Sequence, residues 1–482
     1  MPAPLTSALP APLPAPLPSR HDRPATHRAI PQPPAPRCAE HAGPQWLSSL
    51  ARQLSRGLAL GLTLAMGLAW QGTNLQAEDW PGWRGPRGDG TSLETGIPEV
   101  WDGTTGNNIA WKVAVPGTGH GSPSVVGNRL FLATCLPETE ERQLLCLDAS
   151  TGRLLWQTTV CQSPLEVKHH LNSHASTTPA ADDQTVYTAF LEIDGSTEPA
   201  KNVGTPRPLT PGQIVVSAHD FEGRLRWTSR PGRFASVHGF CSNPVLFENL
   251  VIINGDHDGE SYVVALDRAT GDVVWKQPRI HQTRSYVTPL VRQVGDRTQL
   301  VFSGSKQVVS LDPRSGKTWW QIEGPTEQFV ASPVFDGAQF YVAAGFPTYH
   351  VLAIRPDGDG DVSASHVTWH SRNAACYVPS PVLIGHHLFV ADDRGTANCF
   401  DTRTGERIWQ TRLGTHYSAS LAAVAGKAWF IADDGVTKLL EPGPEPRVVQ
   451  ENPLGETVYA SPAFSQGAVY LRGTEHLWRI GK

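Results

Sequence analysis

Residues 377–410 read YVPSPVLIGHHLFVADDRGTANCFDTRTGERIWQ, and the succession of residue types in them points to one fold class. Pro381 to Ile384 predicts a short apolar strand, Gly385-His386 a turn, and Leu388 to Ala391 a second strand. Asp392-Asp393-Arg394-Gly395 supplies the Asp and Gly that accept the backbone angles of a tight hairpin. Thr396 to Phe400 then predicts a third strand, Asp401 to Gly405 a third turn, and Arg407 to Thr411 a fourth strand carrying Trp409. A unit this small cannot bury both faces by itself and requires neighbours of its own kind.

Those neighbours recur along the chain. The ending Asp-x-x-Thr/Ser-Gly-x-x-x-Trp is found from Asp148 to Trp156, Asp267 to Trp275, Asp312 to Trp320 and Asp401 to Trp409, with a looser copy from Asp220 to Trp227. A Ser or Thr close before a proline opens a strand around Pro123, Pro179, Pro244, Pro289, Pro333, Pro381 and Pro462, and Ser420 stands in the same place without its proline. Successive openings lie 39 to 65 residues apart, the spacing of propeller blades with their loops. No helical hydrophobic period is sustained, whereas short Val, Ile, Leu and Phe runs bounded by Gly, Pro and Asp are frequent. The expected fold is all-β, an eight-bladed β-propeller of four-stranded antiparallel blades over residues 109–482.

Before the repeats, residues 1–50 are dominated by Pro and Ala and predict a disordered leader. Residues 51–77 combine Arg52 and Arg56 with the apolar run from Gly57 to Trp70 and the small-residue end Leu75-Gln-Ala77. That order matches a secretory signal, about 52–77. An N-terminal membrane anchor is the rival reading, but a span needs about 20 apolar residues. The expectation is therefore an exported, periplasmic or cell-envelope protein with no stable membrane span once the signal is removed. Beyond residue 77 the chain carries 34 Lys and Arg against 43 Asp and Glu, a formal charge of −9. Phosphate binding wants a basic face, so nucleic acid is excluded as a partner.

Cys38 lies in the leader, and Ala35-Pro36-Arg37 before it lacks the residues a lipidation site requires. Cys135, Cys146, Cys161, Cys241, Cys376 and Cys399 remain; no two are adjacent and none forms a Cys-x-x-Cys. Cys135 with Cys146, on strands expected to pair, is the first disulfide to look for. Residues 78–108 carry Trp80, Trp83 and Trp101 and are expected to pack across the outside of the propeller. Ile109 to Val113 looks like a fourth strand whose first three lie at the other end of the chain, in Ser461 to Phe464, Ala468 to Arg472 and His476 to Ile480. Building the last blade from both termini closes the ring and removes free sheet edges.

These repeats resemble the pyrroloquinoline-quinone-type (PQQ-like) repeats of eight-bladed propellers, shared by quinoprotein alcohol dehydrogenases and BamB-like assembly propellers. Within that group the chain is similar to exported bacterial proteins that begin as Asp79-Trp-Pro-Gly-Trp-Arg-Gly-Pro86 does here. Asn108-Ile-Ala-Trp-Lys112, His238-Gly-Phe240, Tyr377-Val-Pro-Ser-Pro381 and the stretch from Ala353 to Val362 carry the same resemblance. It implies a docking role for Trp111, Trp156, Trp227, Trp275, Trp320 and Trp409, with Trp369 a degenerate member. A large apolar face with one N–H to satisfy suits packing between blades.

The resemblance also raises PQQ and calcium as cofactors. The quinoprotein dehydrogenases hold the quinone between a Trp and a disulfide of two adjacent cysteines, and no such pair exists here. Asp256 and Asp258, and Asp357, Asp359 and Asp361, could offer carboxylates to calcium. Neither stretch completes an ion-binding loop, and acidic solvated turns are the simpler expectation.

A third set of residues precedes the first strand of each blade: His120, His174, His238, Arg284 with Tyr286, Phe329, Tyr377, His416 and Tyr459. Equivalent positions in a propeller converge on one mouth of the central channel. There they would bind a small polar or anionic ligand, place three imidazoles on a metal, or serve as hydrogen-bonded structural polars. The insertion from Glu192 to Gln213 is positioned to act as a lid. No phosphate loop, Gly-x-Ser-x-Gly elbow or His-Glu-x-x-His occurs, and no catalytic residue is assigned. The expected function is a non-catalytic binding or interaction scaffold for a small ligand or partner protein; a PQQ-dependent oxidoreductase is the alternative.

Overall fold

The computed structural model describes residues 78–200 and 207–481. The Pro/Ala leader with Cys38, the signal-like segment and part of the Glu192-to-Gln213 insertion lie outside the described residues.

Eight antiparallel four-stranded units form the propeller. In the sixth, Val382–Ile384, His387–Ala391, Thr396–Asp401 and Arg407–Arg412 pair in chain order, so that Leu388 faces Phe400 and Phe389 faces Cys399. Side chains alternate across a strand, and here both faces are buried against different neighbours. Leu388, Val390 and Phe400 pack with Val334 and Tyr341 of blade five. Phe389, Ala391 and Cys399 pack with Ala428 and Phe430 of blade seven. This sharing of one strand between two interfaces explains why the repeats read as apolar runs instead of alternating apolar and polar residues.

Blade eight consists of Ala463–Ser465, Ala468–Arg472 and His476–Ile480, completed by Ile109–Ala114 from the other end of the chain. That strand runs antiparallel to the third, with Ile109 opposite Ile480 and Ala114 opposite His476. The predicted closure is thus present: the strand that leads into blade one completes blade eight.

The tryptophans tie each blade to the next. Trp111, Trp156, Trp227, Trp275 and Trp369 donate their indole N–H to the carbonyls of Ala149, Phe221, Arg268, Pro313 and Thr402 in the following blade. Each indole lies flat against that blade's turn glycine. At Gly271, φ is +78° and an added Cβ would sit 2.5 Å from the Trp227 ring, so both the backbone angle and the space require glycine. Trp409 donates to Gly443 O. Trp320 departs from the pattern: it is fully buried, donates to Gln299 of its own blade and packs near Phe340 of blade five. The hairpin that would offer it a turn is replaced by residues 356–366, whose Gly360–Asp361 instead pairs in parallel with the outer strand Thr318–Glu323 of blade four.

Residues 78–108 do not merely lie on the outside. Trp80 exchanges backbone hydrogen bonds with Val125, Pro81 O accepts from Ala181, and Arg84 donates to Pro381 O and Leu421 O. Asp89 pairs with Arg292, Thr91–Ser92 adds a parallel strand beside Ala422–Val424, and Glu94 accepts from Gln466 N and Gly467 N. Trp80 and Trp101 are 2% exposed and belong to the core, Trp101 stacking on Trp429. The segment therefore crosses the inner strands of most blades, because its aromatic side chains find apolar cover there that a surface groove would not give.

The cysteines in the described residues are free. Cys135 sits opposite Arg142 and Cys146 opposite Phe131, at separate places on the same hairpin, so the anticipated disulfide has no geometry to form. Burial pushes the Cys135 thiol up to about 11 and Cys146 up to about 12, as expected of inert packed thiols.

Candidate functional site: an axial chamber ringed by hydroxyls

The residue before each strand-opening proline builds one continuous feature. Ser461 N donates to Ser122 Oγ, Ser122 N to Thr178 Oγ1, Thr178 N to Asn243 Oδ1, and Asn243 Nδ2 to Thr288 Oγ1. On the other side Ser332 N donates to Ser380 Oγ, Ser380 N to Ser420 Oγ, and Ser420 N to Ser461 Oγ. Seven of the eight pairs of neighbouring blades are thus joined by one hydrogen bond at their inner strands. Between blades four and five the link is made one step outward, by Tyr286 N donating to Phe329 O.

Above this ring lies a chamber of about 400 Å³, the size of a small-molecule site. Six ring hydroxyls line it, together with His120, His238, Tyr286, Tyr377 and Tyr459. Trp83 also lines it and donates to Ser332 Oγ at 3.3 Å, so the N-terminal segment contributes directly to its wall. The imidazole of His120 lies 4.4 Å from the Tyr459 ring, and its Nδ1 bonds Leu171 O.

His174, Arg284 and His416 do not line the chamber. His174 Nε2 bonds Glu166 O, His416 Nδ1 lies 2.6 Å from Asp433 Oδ2, and Arg284 is paired with buried Asp258. Phe329 is fully buried in the interface between blades.

The connector between blades one and two, of which only His174 was among the expected site residues, supplies part of the wall. Residues 163–178 fold over the mouth and present His169, Leu171, Asn172 and Ser176 to the chamber. Asn172 Nδ2 donates to His238 O at 2.6 Å, and the His169 and His238 rings meet edge to face. The connector is anchored by a fully buried pair, Arg142 with Glu166 at 2.6 Å. The described part of the Glu192-to-Gln213 insertion does not line the chamber; Thr210 Oγ1 accepts from Val167 N, so the insertion braces the connector that does. The adjacent His169-His170 in an unusually long connector was the available signal.

Buried cations lie behind the imidazoles of the chamber wall. Burial, aided by the Arg472 guanidinium, holds His120 down at about 4. Burial, aided by Arg284 and His169, holds His238 at about 3. Burial also lowers His169 and raises Asp393, the one carboxyl among the lining residues. Such a wall offers neutral imidazoles, phenols and hydroxyls for hydrogen bonding and aromatic faces for stacking.

The residues present do not fit PQQ with calcium. Cys241 is the single thiol on the chamber wall and burial pushes it up to about 12. Asp256 and Asp258 are not solvated turns but buried partners of Arg279 and Arg284, so their charge is already committed. Asp357 faces His366 and Arg355, Asp359 faces Arg297, and Asp361 accepts from Ser363. No cluster of three or more metal-ligating side chains exists among the described residues.

The family described as outer membrane protein assembly factor BamB matches residues 99–197 and 209–411. The chain belongs to the BamB family of propellers. It is 22% identical over 365 residues to outer membrane protein assembly factor BamB of Yersinia pestis, across 69% of this chain and 86% of that one. Among solved structures, BamB from Moraxella catarrhalis superposes with a TM-score of 0.50 at 12% identity, over 77% of this chain and 98% of that one. A europium-containing methanol dehydrogenase superposes with a TM-score of 0.51 at 13% identity, over 83% and 90%. Both structures share the fold with this BamB-family chain. No helix among the described residues is long and apolar enough to cross a membrane.

Proposed function

We propose that this BamB-family chain is an exported, non-catalytic scaffold of the cell envelope that docks partner proteins on the outer edges of its blades. The observation that carries this reading is on blade four. Its outer strand, Thr318–Glu323, accepts Gly360–Asp361 as an added parallel strand, with Trp320 opposite Gly360. An edge of this propeller can therefore take a further strand in register. The outer strands of blades one, two and three, Leu154–Gln162, Leu225–Phe234 and Val273–Pro278, end their sheets without such a cover among the described residues. Each begins with an exposed aliphatic side chain: Leu154 at 42%, Leu225 at 59% and Val273 at 49%. Open backbone groups beside aliphatic side chains suit an extended apolar segment of another protein.

The test is photo-crosslinking from Leu225 and Val274 in cells that export the chain. Crosslinks to a component of the outer-membrane assembly machinery support the reading, and Leu225→Lys with Val274→Lys should abolish them. Saturable PQQ binding with dye-linked alcohol oxidation by the purified chain would overturn it in favour of an oxidoreductase.

A further inference from the structure

The ring hydroxyls hold a chemical bias that their structural role leaves unused. A serine or threonine hydroxyl has one proton to donate and lone pairs that accept. Ser122, Thr288, Ser332, Ser380, Ser420 and Ser461 each accept one N–H from the protein, and none of them donates its own proton in any hydrogen bond among the described residues. All six line the chamber while being at least nine-tenths buried. Six hydroxyls, each with its proton unused and one lone pair already engaged, thus line one chamber.

The charge distribution points the same way. Arg472 is 2% exposed, and among the described residues its guanidinium donates only to the carbonyls of Ala133 and Gly121, leaving Nε without a partner there. Gly121 directly precedes ring member Ser122, and an added Cβ on Gly119 would touch Arg472, so this cation lies immediately behind the ring and His120. No carboxylate contacts it among the described residues. A buried cation without a counter-charge is costly, and an anion held in front of it would offset that cost. The single lining carboxyl, Asp393, accepts from Val378 N, and burial raises it.

We infer that the axial chamber binds a small organic carboxylate, its oxygens seated on the ring hydroxyls and its body among Tyr286, Tyr377, Tyr459, His120 and Trp83. Hydrogen bonds from buried donors to a charged carboxylate are stronger than those to a neutral acceptor. The aromatic wall accepts a flat or apolar body by stacking. The bias is against neutral alcohols of the same shape, which offer one uncharged oxygen where a carboxylate offers two that share a negative charge.

Calorimetry on the full chain tests this with benzoate and benzyl alcohol, which share a ring and differ in the head group. Benzoate should bind saturably at one site, and benzyl alcohol about tenfold more weakly or worse, the difference of a hydrogen bond to a charged group. Ser332→Ala removes a ring donor whose accepted bond comes from the Trp83 indole, so no backbone N–H is orphaned. It should weaken benzoate about tenfold and leave benzyl alcohol unchanged. Thr288→Val, which removes a hydroxyl at nearly constant shape, should do the same and serves if Ser332→Ala does not fold. Equal affinity for the two probes would overturn the anion assignment while leaving the chamber a binding site. The absence of saturable benzoate binding, or insensitivity to both variants, would overturn the proposal as a whole. Neither result bears on docking at the blade edges.

Discussion

The connector over the chamber mouth should be held shut chiefly by the pair formed by Arg142 and Glu166. The two side chains are 0% and 2% exposed and meet at 2.6 Å. Removing one member of a buried pair strands the other charge, at a cost of about 3–5 kcal/mol. For Glu166→Ala the lower end applies, because Arg142 keeps the carbonyls of Glu140, Ser163 and Pro164 as acceptors. Arg142→Ala should cost more as long as the connector stays closed, since Glu166 has no other side-chain hydrogen-bond donor than Arg142 among the described residues. The chain has an alternative to paying that penalty globally: residues 163–178 can open and hydrate the charge. Both single variants should therefore lose amide protection in 163–178 by hydrogen exchange, with a smaller loss of urea stability than the full penalty. The double variant Arg142→Met with Glu166→Met buries no charge and should recover most of the protection and stability. The reasoning fails if the double variant is as unstable as the worse single one, or if exchange in 163–178 is unchanged in all three.

Two further outcomes follow from the fold and its titrating groups. Deleting residues 473–482 removes His476–Ile480, the strand that joins Ile109–Ala114 to the rest of blade eight. The truncated chain should be recovered insoluble or without a cooperative unfolding transition, and a soluble product with a native-like transition would contradict the closure. His120 and His238 have folded values of about 4 and 3, below the ordinary 6.5. The unfolded chain then binds more protons between those limits, so stability is fully present above 6.5 and falls as pH drops toward 4. Each contributes at most about 1.4 kcal/mol per pH unit across that window. Urea midpoints measured from pH 7 to 4 should decline, less steeply in His120→Gln; an unchanged slope would mean that this imidazole is not held neutral by the fold.

Blade number, strand order and ring closure were legible because they rest on local chemistry. Turns such as Asp401 to Gly405 require Asp and Gly at given places, and a Trp four residues after the glycine marks the next interface wherever it recurs. The polar residue at each strand opening, a hydroxyl in every blade but the third where it is Asn243, was also visible, but only as punctuation. That Ser122, Ser380, Ser420 and Ser461 meet across blades and share hydrogen bonds depends on closing residues hundreds of positions apart into one circle. The chamber is a product of that closure. Trp83 reaches Ser332 across 249 residues, and His169 meets His238 through a connector whose path no repeat dictates. The same limit misplaced Arg284, His174 and His416: Arg284 and His174 stand five residues before their prolines, yet residues three, four and six before theirs (His120, Tyr377 and His238) reach the chamber, so the path of each loop decides where its side chain goes. Repetition along the sequence therefore determined the scaffold, whereas the site arose where residues outside the repeat were brought against it by tertiary packing.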